Sequence, residues 1–352
     1  MLQQAIKNLL FEGTVIPAHP LALTEDKKLD ENRQRALTNY YMDAGAGGIA
    51  VGVHTTQFEI RDKEFQLFEK VLQLATEEVN KRNLDRPFIK IAGICGSTDQ
   101  AVREAQIASN LGYDLGLLSF GGLNHLSEEE LLNHAKQVAE VIPIFGFYLQ
   151  PAVGGRTLSF DFWRSFADIE NVHAIKMAPF DRYKTLDVIR AVCHSNRGDK
   201  IALYTGNDDN IVIDLLTTYE IQVEGKTIRK NIVGGLLGHW AVWTEKAVEQ
   251  FKHIKKTRLE NGDVSTFFPL SHQVTDANAA FFDAHNSFKG CIAGINEVLA
   301  RQGLLRGNWC LLDKEKLSPG QSEEIDRVYC EYPHLNDDEF ITKNLNKWLR
   351  RD

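Results

Sequence analysis

The sequence predicts a (βα)8 TIM barrel, an α/β fold of eight parallel strands that alternate with helices, followed by a helical C-terminal extension. Three observations indicate this fold. Eight short apolar runs recur along the 352 residues, their starts lie 26 to 40 residues apart, and amphipathic segments separate them. One strand with its crossover helix occupies roughly 30 residues. Eight such units favour a closed barrel over an open, doubly wound sheet.

The eight apolar runs are rich in Val, Ile and Phe. They begin near Thr14, Gly48, Phe88, Asp114, Pro143, Val172, Lys200 and Asn231. Before the eighth run, the polar stretch at residues 222–230 predicts a loop or hairpin insert. The glycine-rich segment at residues 45–48 precedes a run instead of following one. We therefore interpret it as a helix stop and turn, not as a dinucleotide-binding fingerprint.

The segments between the runs carry apolar residues at spacings of three and four, which predicts helices. The clearest predicted helices cover residues 62–81, 99–111, 127–141 and 185–193. Ser127 and the three glutamates after it predict a capping box at one helix start. Ser97 or Thr98 can cap the helix that follows the third strand.

The pattern changes to helices without strands after about residue 256, and the chain ends in a polar tail at residues 335–352. We therefore expect residues 1–255 to form the barrel and residues 256–352 to form a helical extension packed on it. The apolar stretch at the N-terminus is too short and interrupted for a signal peptide, and no run approaches the length of a membrane span. We expect a cytoplasmic protein without membrane association.

The composition is that of a globular protein with a sizeable core, since 43% of the residues are hydrophobic and 25% are charged. The net charge of −8 argues against a nucleic-acid surface, so a small-molecule substrate is the better hypothesis. The five cysteines are scattered and form no CxxC pair. This distribution indicates reduced thiols in a cytosolic compartment.

The sixth apolar run ends in Lys176, and its ammonium would be buried if this strand lines the core. Burial makes a lysine lose its proton more readily, and a neutral amine attacks a carbonyl carbon to form a Schiff base. The fifth run ends in Tyr148, 28 residues earlier. If alternation points both side chains inward, they meet at the carboxyl-end rim where barrel enzymes place catalytic groups. Tyr148 would then shuttle protons.

Each of these two residues also has a purely structural interpretation. Lys176 can be a strand-end lysine whose head reaches solvent, and Tyr148 can be a core aromatic with its hydroxyl at the rim. A second strand lysine, Lys90, lies near the start of its run, on the face of a barrel that contributes stability. Lys176 is therefore the preferred nucleophile.

Further polar residues follow other predicted strands. Thr55 and Thr56 end the second run, where they can bind a carboxylate together with backbone N–H groups or cap the next helix. His54 and His239 can act as acid/base groups or as hydrogen-bonded rim histidines. No His, Asp or Glu grouping in the sequence has convincing metal-ligand spacing, so we expect neither a metal nor another cofactor.

Five groups of residues carry a resemblance to a known family. They are GTVIPAHPL at residues 13–21, AGAGGIAVGVHTT at 44–56, FYLQP at 147–151 with GGRT at 154–157, NVHAIKMA at 171–178, and TGNDD at 205–209. Over roughly residues 13–334 the chain resembles the dihydrodipicolinate synthase and N-acetylneuraminate lyase family. The resemblance implies a Schiff-base-forming TIM-barrel lyase that acts on pyruvate or a related 2-oxo acid.

The resemblance also implies roles for single residues. Lys176 would form the Schiff base and Tyr148 would be the acid/base. The implied substrate-binding residues are Thr55, Thr56, Arg156, Gly206 and Asp208. The two threonines would hold the carboxylate, Gly206 would offer a backbone contact, and Asp208 would meet substrate hydroxyls or cap the next helix. Arg156 matches a family arginine, although three extra residues separate it from Tyr148.

Two departures from the family pattern concern the substrate. Residues 54–58 read HTTQF, which lacks the turn glycine and the glutamate that the family carries there. Residues 118–122 contain no tyrosine, whereas dihydrodipicolinate synthases place a relay tyrosine from a neighbouring subunit after the fourth strand. Family members are usually dimers or tetramers, so we expect a homo-oligomer.

The resulting hypothesis is a class I lyase, aldolase or synthase with an imine at Lys176. Dehydration of a keto-deoxy sugar acid by the same imine chemistry is an alternative. A barrel isomerase or phosphate-ester enzyme that seats an anion at Gly234 and Gly235 is a second alternative. A third is a barrel that senses a 2-oxo acid without turnover.

Overall fold

The computed structural model describes residues 2–349 and confirms the predicted barrel. Its strands are β1 Val15–Pro17, β2 Gly48–Val51, β3 Ile89–Ile94, β4 Leu115–Ser119, β5 Ile144–Leu149, β6 Val172–Ala178, β7 Ala202–Thr205, β8 Thr218–Val223 and β9 Lys226–Leu237. All except β8 pair in parallel, in the order β1-β9-β7-β6-β5-β4-β3-β2. A parallel bridge between Ala18 and Ala50 joins the two ends and closes the barrel.

Thirteen helices are present within the described residues. They are α1 Gln4–Glu12, α2 Glu31–Asp43, α3 Phe68–Arg82, α4 Thr98–Asn110, α5 Glu128–Ala139, α6 Phe160–Ala167, α7 Arg182–Cys193, α8 Ile211–Leu216, α9 Thr244–Leu259, α10 Phe268–Phe281, α11 Cys291–Arg301, α12 Gln321–Glu331 and α13 Asp338–Leu349. Helices α2 to α9 each follow one barrel strand. None of the helices between residues 2 and 349 is long and apolar enough to cross a membrane.

The predicted hairpin before the eighth barrel strand is confirmed. Strand β8 pairs antiparallel with the first half of β9, and Val223 faces Lys226 across the turn. Glu224 and Gly225 both have positive φ, 49° and 78°. Two central residues of positive φ are typical of the tight turns that match the twist of a hairpin.

The helix starts follow local hydrogen bonding. Ser127 accepts from the Glu130 N–H at 3.2 Å and Glu130 Oε2 accepts from the Ser127 N–H at 2.7 Å, which confirms the capping box of α5. Ser97 occupies the N-cap position of α4 without a side-chain cap hydrogen bond. The helix predicted at 62–81 begins only at Phe68, since Gln66 just before it has a φ of 49°, which a right-handed helix does not allow.

The stretch at residues 335–352, predicted as the polar end of the helical extension, is helical as expected but amphipathic for most of its length. Residues 338–349 form the amphipathic helix α13, whose Ile341 and Trp348 are buried. The last three residues lie outside the described part of the chain. Helix α9 runs across the predicted boundary at residue 255. The division of the chain at that point stays a prediction.

Replacement of Trp348 by Ala should lower the free energy of unfolding by about 3 kcal/mol, because it leaves a cavity in a packed site. The Trp348 ring packs at 5.5 Å from Tyr40, and its Nε1 donates to Asp43 at 2.8 Å. Urea denaturation followed by circular dichroism measures the change. In the control Lys347→Ala, only a surface ion pair is lost, so a shift of at most about 1 kcal/mol is expected. Equal midpoints for Trp348→Ala and the unsubstituted protein would show that α13 contributes nothing.

Candidate active site

Each barrel strand alternates between side chains that face the barrel interior and side chains that face the helices. Register partners in a parallel sheet point to the same side. Lys176 of β6 lies beside Phe147 of β5 and Tyr204 of β7. Both aromatic partners belong to the interior core. The Lys176 side chain therefore enters the barrel, as predicted.

The prediction that Tyr148 meets Lys176 is wrong. A one-residue register shift after Ile144 leaves His173 of β6 as an extra residue, so that Lys176 pairs with Phe147. A slip of one residue turns a side chain to the opposite face of the strand. Tyr148 consequently packs against Trp163 at a ring distance of 5.0 Å, and its hydroxyl accepts from the Leu158 N–H at 3.3 Å. Tyr148 is a core residue between the barrel and the helices.

A cavity of about 50 Å³ lies at the carboxyl ends of the strands, around Lys176. Its polar lining comprises the side chains of His54, Thr55, Gln150, Lys176 and Asp208. Apolar side chains from both the barrel and the C-terminal helices supply most of the remaining lining. A space of this size holds a few water molecules or one small ligand.

The Lys176 amine is buried. The residue is 7% exposed, and its Nζ lies 4.4 Å from the centre of the Phe147 ring. The ring face attracts a cation there. Burial lowers the pKa of Lys176, and the nearby Asp208 carboxylate opposes part of that shift. The neutral amine is therefore more abundant near neutral pH than it is for an exposed lysine.

The absence of a side chain at Gly206 leaves room for the Lys176 side chain. A Cβ atom at residue 206 would lie 2.4 Å from Lys176 Cε and 2.9 Å from the Ala178 Cβ. The Gly206 N–H donates to the Met177 carbonyl at 2.7 Å and extends the β6–β7 ladder. The sequence-predicted Gly206 therefore lies at the site, and its close approach to Lys176 requires a residue without a side chain.

Asp208 also lies at the site and is 5% exposed. Its Oδ1 accepts from the His239 backbone N–H at 2.8 Å. Burial raises the pKa of Asp208, while the Lys176 ammonium acts in the opposite direction. The alternative role of Asp208 as a helix cap is not observed, because Asn210 holds the N-cap position of α8.

A buried polar network fixes the backbone that carries Gly206 and Asp208. Asp214 accepts from the Thr205 hydroxyl at 2.7 Å and from the Asn207 amide at 3.0 Å. Asn207 Oδ1 accepts from the Phe180 N–H at 3.1 Å, which links the turn after β7 to the turn after β6. Sequence reasoning missed Asn207, although its position between two site residues was a usable signal.

The two threonines have different surroundings. Thr55 lines the cavity and its hydroxyl donates to the Ala18 carbonyl at 2.8 Å. The Thr56 hydroxyl donates to the His19 carbonyl at 2.6 Å and accepts from the Gly52 N–H at 3.0 Å. Thr56 therefore ties the end of β2 to the end of β1 and does not line the cavity.

The altered HTTQF turn is joined to the C-terminal extension. Gln57 adopts a φ of 68°, the conformation that a turn glycine favours. Its Oε1 accepts from the Leu311 N–H at 2.7 Å. His54 in the same turn is half-buried at the cavity, and burial followed by the Lys176 charge lowers the pKa of His54 to about 4. His54 is therefore neutral at neutral pH.

The segment between α10 and α11 forms a roof over the cavity. Phe282 and Phe288 reach the lining from this segment and Cys291 from the first position of α11, and Phe288 packs at 5.7 Å from Phe180 after β6. The Asp283 carboxylate holds the segment by accepting from the Gly290 N–H at 2.9 Å. Sequence reasoning missed this roof, since the contacts join residues about a hundred positions apart.

Arg156 lies away from the cavity. Its Nη1 donates to the Leu126 carbonyl at 2.7 Å and the Leu123 carbonyl at 3.2 Å, and so it braces the loop between β4 and α5. Arg156 is not among the residues that line the cavity, so its predicted role in substrate binding stays a prediction. The His239 ring stacks on Phe281 at 5.6 Å and does not line the cavity either.

Gly234 and Gly235 do not form an open anion seat. Both lie within β9, and a Cβ at residue 234 would lie 2.5 Å from the Thr14 carbonyl oxygen. A Cβ at residue 235 would lie 2.6 Å from the Trp240 ring. The two glycines allow the Thr14 backbone and the Trp240 ring to pack closely against β9. Within the described residues, no group of three or more His, Cys, Asp or Glu side chains is placed to hold a metal ion.

A larger groove of about 1110 Å³ lies on the outside of the barrel between α2, α3 and α13. Its charges pair with one another. Arg35 contacts Glu77 at 2.5 Å and Glu78 at 2.9 Å, and Arg306 contacts Asp30 at 2.9 Å. Because none of its lining residues belongs to a barrel strand, the smaller cavity at Lys176 is the candidate site.

The fold and the site together define a (βα)8 barrel with a buried amine at the carboxyl end of its sixth strand. A sequence profile described as the dihydrodipicolinate synthetase family matches residues 12–325. The chain belongs to this family.

One curated relative is the 4-hydroxy-tetrahydrodipicolinate synthase of Moorella thermoacetica. It is 29% identical over 206 residues, which are 58% of this chain and 66% of that protein. The aligned part thus spans just under two thirds of the relative's length.

Solved structures show the same fold at low sequence identity. The dihydrodipicolinate synthase from Oceanobacillus iheyensis gives a TM-score of 0.72 at 17% identity and covers 94% of this chain and 99% of its own. The N-acetylneuraminate lyase from Mycoplasma synoviae gives a TM-score of 0.69 at 16% identity and covers 92% of this chain and 98% of its own.

Proposed function

We propose that this protein is a class I lyase or synthase in which Lys176 forms an imine with pyruvate or a related 2-oxo acid. The observation that carries the proposal is the buried Lys176 amine, which faces a small cavity at the carboxyl end of the barrel. Family membership supports the proposal.

The chemistry begins with attack of the neutral Lys176 amine on the C2 carbonyl of the 2-oxo acid. Loss of water then gives an imine, and its protonated form withdraws electrons from the adjacent bonds at C3. We expect the face of the Phe147 ring, whose centre lies 4.4 Å from the Lys176 Nζ, to stabilise the positive nitrogen of this imine.

The carboxylate of the substrate requires a seat across the cavity from Lys176. We propose that Thr55 and the backbone N–H groups of the turn after β2 form this seat, because Thr55 lines the cavity. Thr56 supports the seat by fixing the turn through its contacts with His19 and Gly52.

The same imine permits three outcomes: carbon–carbon cleavage, condensation with a second carbonyl compound, and dehydration of a keto-deoxy sugar acid. We propose a lyase, aldolase or synthase reaction first.

The phosphate-ester alternative lacks its anion seat at Gly234 and Gly235. We also expect a cytoplasmic protein that forms a homodimer or homotetramer. Analytical ultracentrifugation measures the number of subunits.

Trapping with borohydride tests the proposal. The protein is incubated with pyruvate or longer 2-oxo acids, reduced with borohydride and weighed by mass spectrometry. We expect an increase equal to the mass of pyruvic acid less one oxygen atom. A phosphate-ester enzyme gives no such increase, and a sensor gives the adduct without aldol turnover. Absence of an adduct with every 2-oxo acid in the panel would overturn the proposal.

Tyr148→Phe should leave adduct formation unchanged, since the Tyr148 hydroxyl bonds the Leu158 N–H outside the cavity. The loss of one hydrogen bond should lower the free energy of unfolding by about 1 kcal/mol. Rates of pyruvate trapping and urea midpoints measure the two effects. A trapping rate that falls by tenfold or more, which corresponds to an increase of about 1.4 kcal/mol in the activation barrier, would show that Tyr148 takes part in the reaction.

A further inference from the structure

Imine chemistry at Lys176 requires a group that removes a proton from C3 of the bound substrate. The predicted phenol does not serve, because Tyr148 faces the helices and Phe147 lies beside Lys176. A phenyl ring neither accepts nor donates a proton. Another side chain in the cavity must take this role.

Three titratable side chains besides Lys176 line the cavity: His54, Asp208 and Cys291. Burial raises the pKa of the Cys291 thiol well above its usual range, so its thiolate is scarce. His54 follows β2, which lies opposite β6 in the barrel order. Asp208 follows β7, the direct neighbour of β6.

We propose that Asp208 is the catalytic base of this site, and that its carboxylate takes the C3 proton of the imine formed at Lys176. This inference rests on the proposed function. In the step, the C3–H bond breaks and its electron pair forms the C2–C3 double bond. The π electrons of the protonated imine move onto its nitrogen, giving a neutral enamine, and the proton stays on Asp208. In the reverse direction Asp208 returns the proton to C3.

The Asp208 carboxyl and the Lys176 amine line the same cavity. Gly206 packs directly on the Lys176 stem, and Asp208, two residues further along, lines the same cavity. One carboxyl oxygen is held by the His239 N–H at 2.8 Å. The charges of the two groups interact across the cavity, since Asp208 raises the pKa of Lys176 and Lys176 lowers the pKa of Asp208.

Burial raises the pKa of Asp208 above that of an ordinary carboxyl, which makes its carboxylate a stronger base. The backbone that carries it is fixed by Asn207 and Asp214, so the carboxyl is preorganised. Both observations support a proton-transfer role.

Exchange of the pyruvate methyl protons with deuterated water, followed by NMR, tests this step. Asp208→Asn keeps the size of the side chain and an oxygen for the His239 N–H. We expect exchange to fall by at least about 100-fold, while borohydride still traps the pyruvate adduct in full yield. The control Asp209→Asn makes the same change at the next, exposed residue and should exchange normally.

Exchange in Asp208→Asn at the rate of the unsubstituted protein would overturn the inference. So would loss of exchange in His54→Gln with normal exchange in Asp208→Asn, because His54 would then be the base. Equal losses of adduct and exchange in Asp208→Asn would assign Asp208 to positioning Lys176 and would also overturn it. Failure of the proposed function is distinct, since no adduct then forms in the unsubstituted protein.

Discussion

Lys176→Met should abolish the 2-oxo acid adduct and lower turnover by at least about 10⁴-fold, as expected when a covalent nucleophile is removed. Methionine fills a similar volume and carries no amine. Because burial of an ammonium opposes folding, we also expect the variant to have a higher urea midpoint than the unsubstituted protein at neutral pH.

Lys90→Met is the matched control for that result. Lys90 is a second strand lysine whose pKa is lowered by burial, and its Nζ donates to the Thr76 hydroxyl at 3.0 Å outside the cavity. We expect the Lys90→Met variant to form the 2-oxo acid adduct in normal yield. An adduct that survives in Lys176→Met at normal yield would show that another lysine is the nucleophile.

Gly206→Ala should slow adduct formation by about 100-fold, because a displacement of the reacting group by about 1 Å has an effect of that size. The new Cβ would lie 2.4 Å from Lys176 Cε, so the amine must move. The rate of borohydride trapping with pyruvate measures the effect, and circular dichroism verifies that the barrel still folds.

Gly225→Ala is the matched control for Gly206→Ala. Gly225 has a φ of 78° in the β8–β9 hairpin, and its Cβ would meet no atom within 4 Å. The variant should lose about 1 kcal/mol of stability through backbone strain and keep its trapping rate. A trapping rate for Gly206→Ala equal to that of Gly225→Ala would contradict the packing argument.

The barrel and its nucleophile could be predicted because both leave local signals. Apolar runs at regular spacing determine the strand count, and a lysine at the end of such a run stands out from its neighbours. Gly206 and Asp208 followed from the resemblance, and both lie at the cavity.

Tyr148 could not be placed from spacing, because the register shift after Ile144 is set by the pairing of two strands. Its separation of 28 residues from Lys176 would put it beside the lysine in an unshifted ladder. One extra residue at His173 brings Phe147 there instead. Alternation predicts a face only when the register is known.

The roof of the cavity was also beyond sequence reasoning. Phe282 and Phe288 lie in a segment between two helices of the extension, and nothing local indicates that they return to the barrel mouth. For Arg156, the sequence motif matched the family, but the side chain does not lie at the cavity. Its guanidinium bonds the carbonyls of a neighbouring loop.

Peptide mapping of the borohydride-reduced pyruvate adduct tests the central claim most directly. The protein is reduced with pyruvate present, digested and sequenced by tandem mass spectrometry. We predict a single modified residue, Lys176, in the segment NVHAIKMA of residues 171–178. Modification of a different lysine, or an unmodified protein after reduction, would contradict the claim that this barrel uses Lys176 to form an imine.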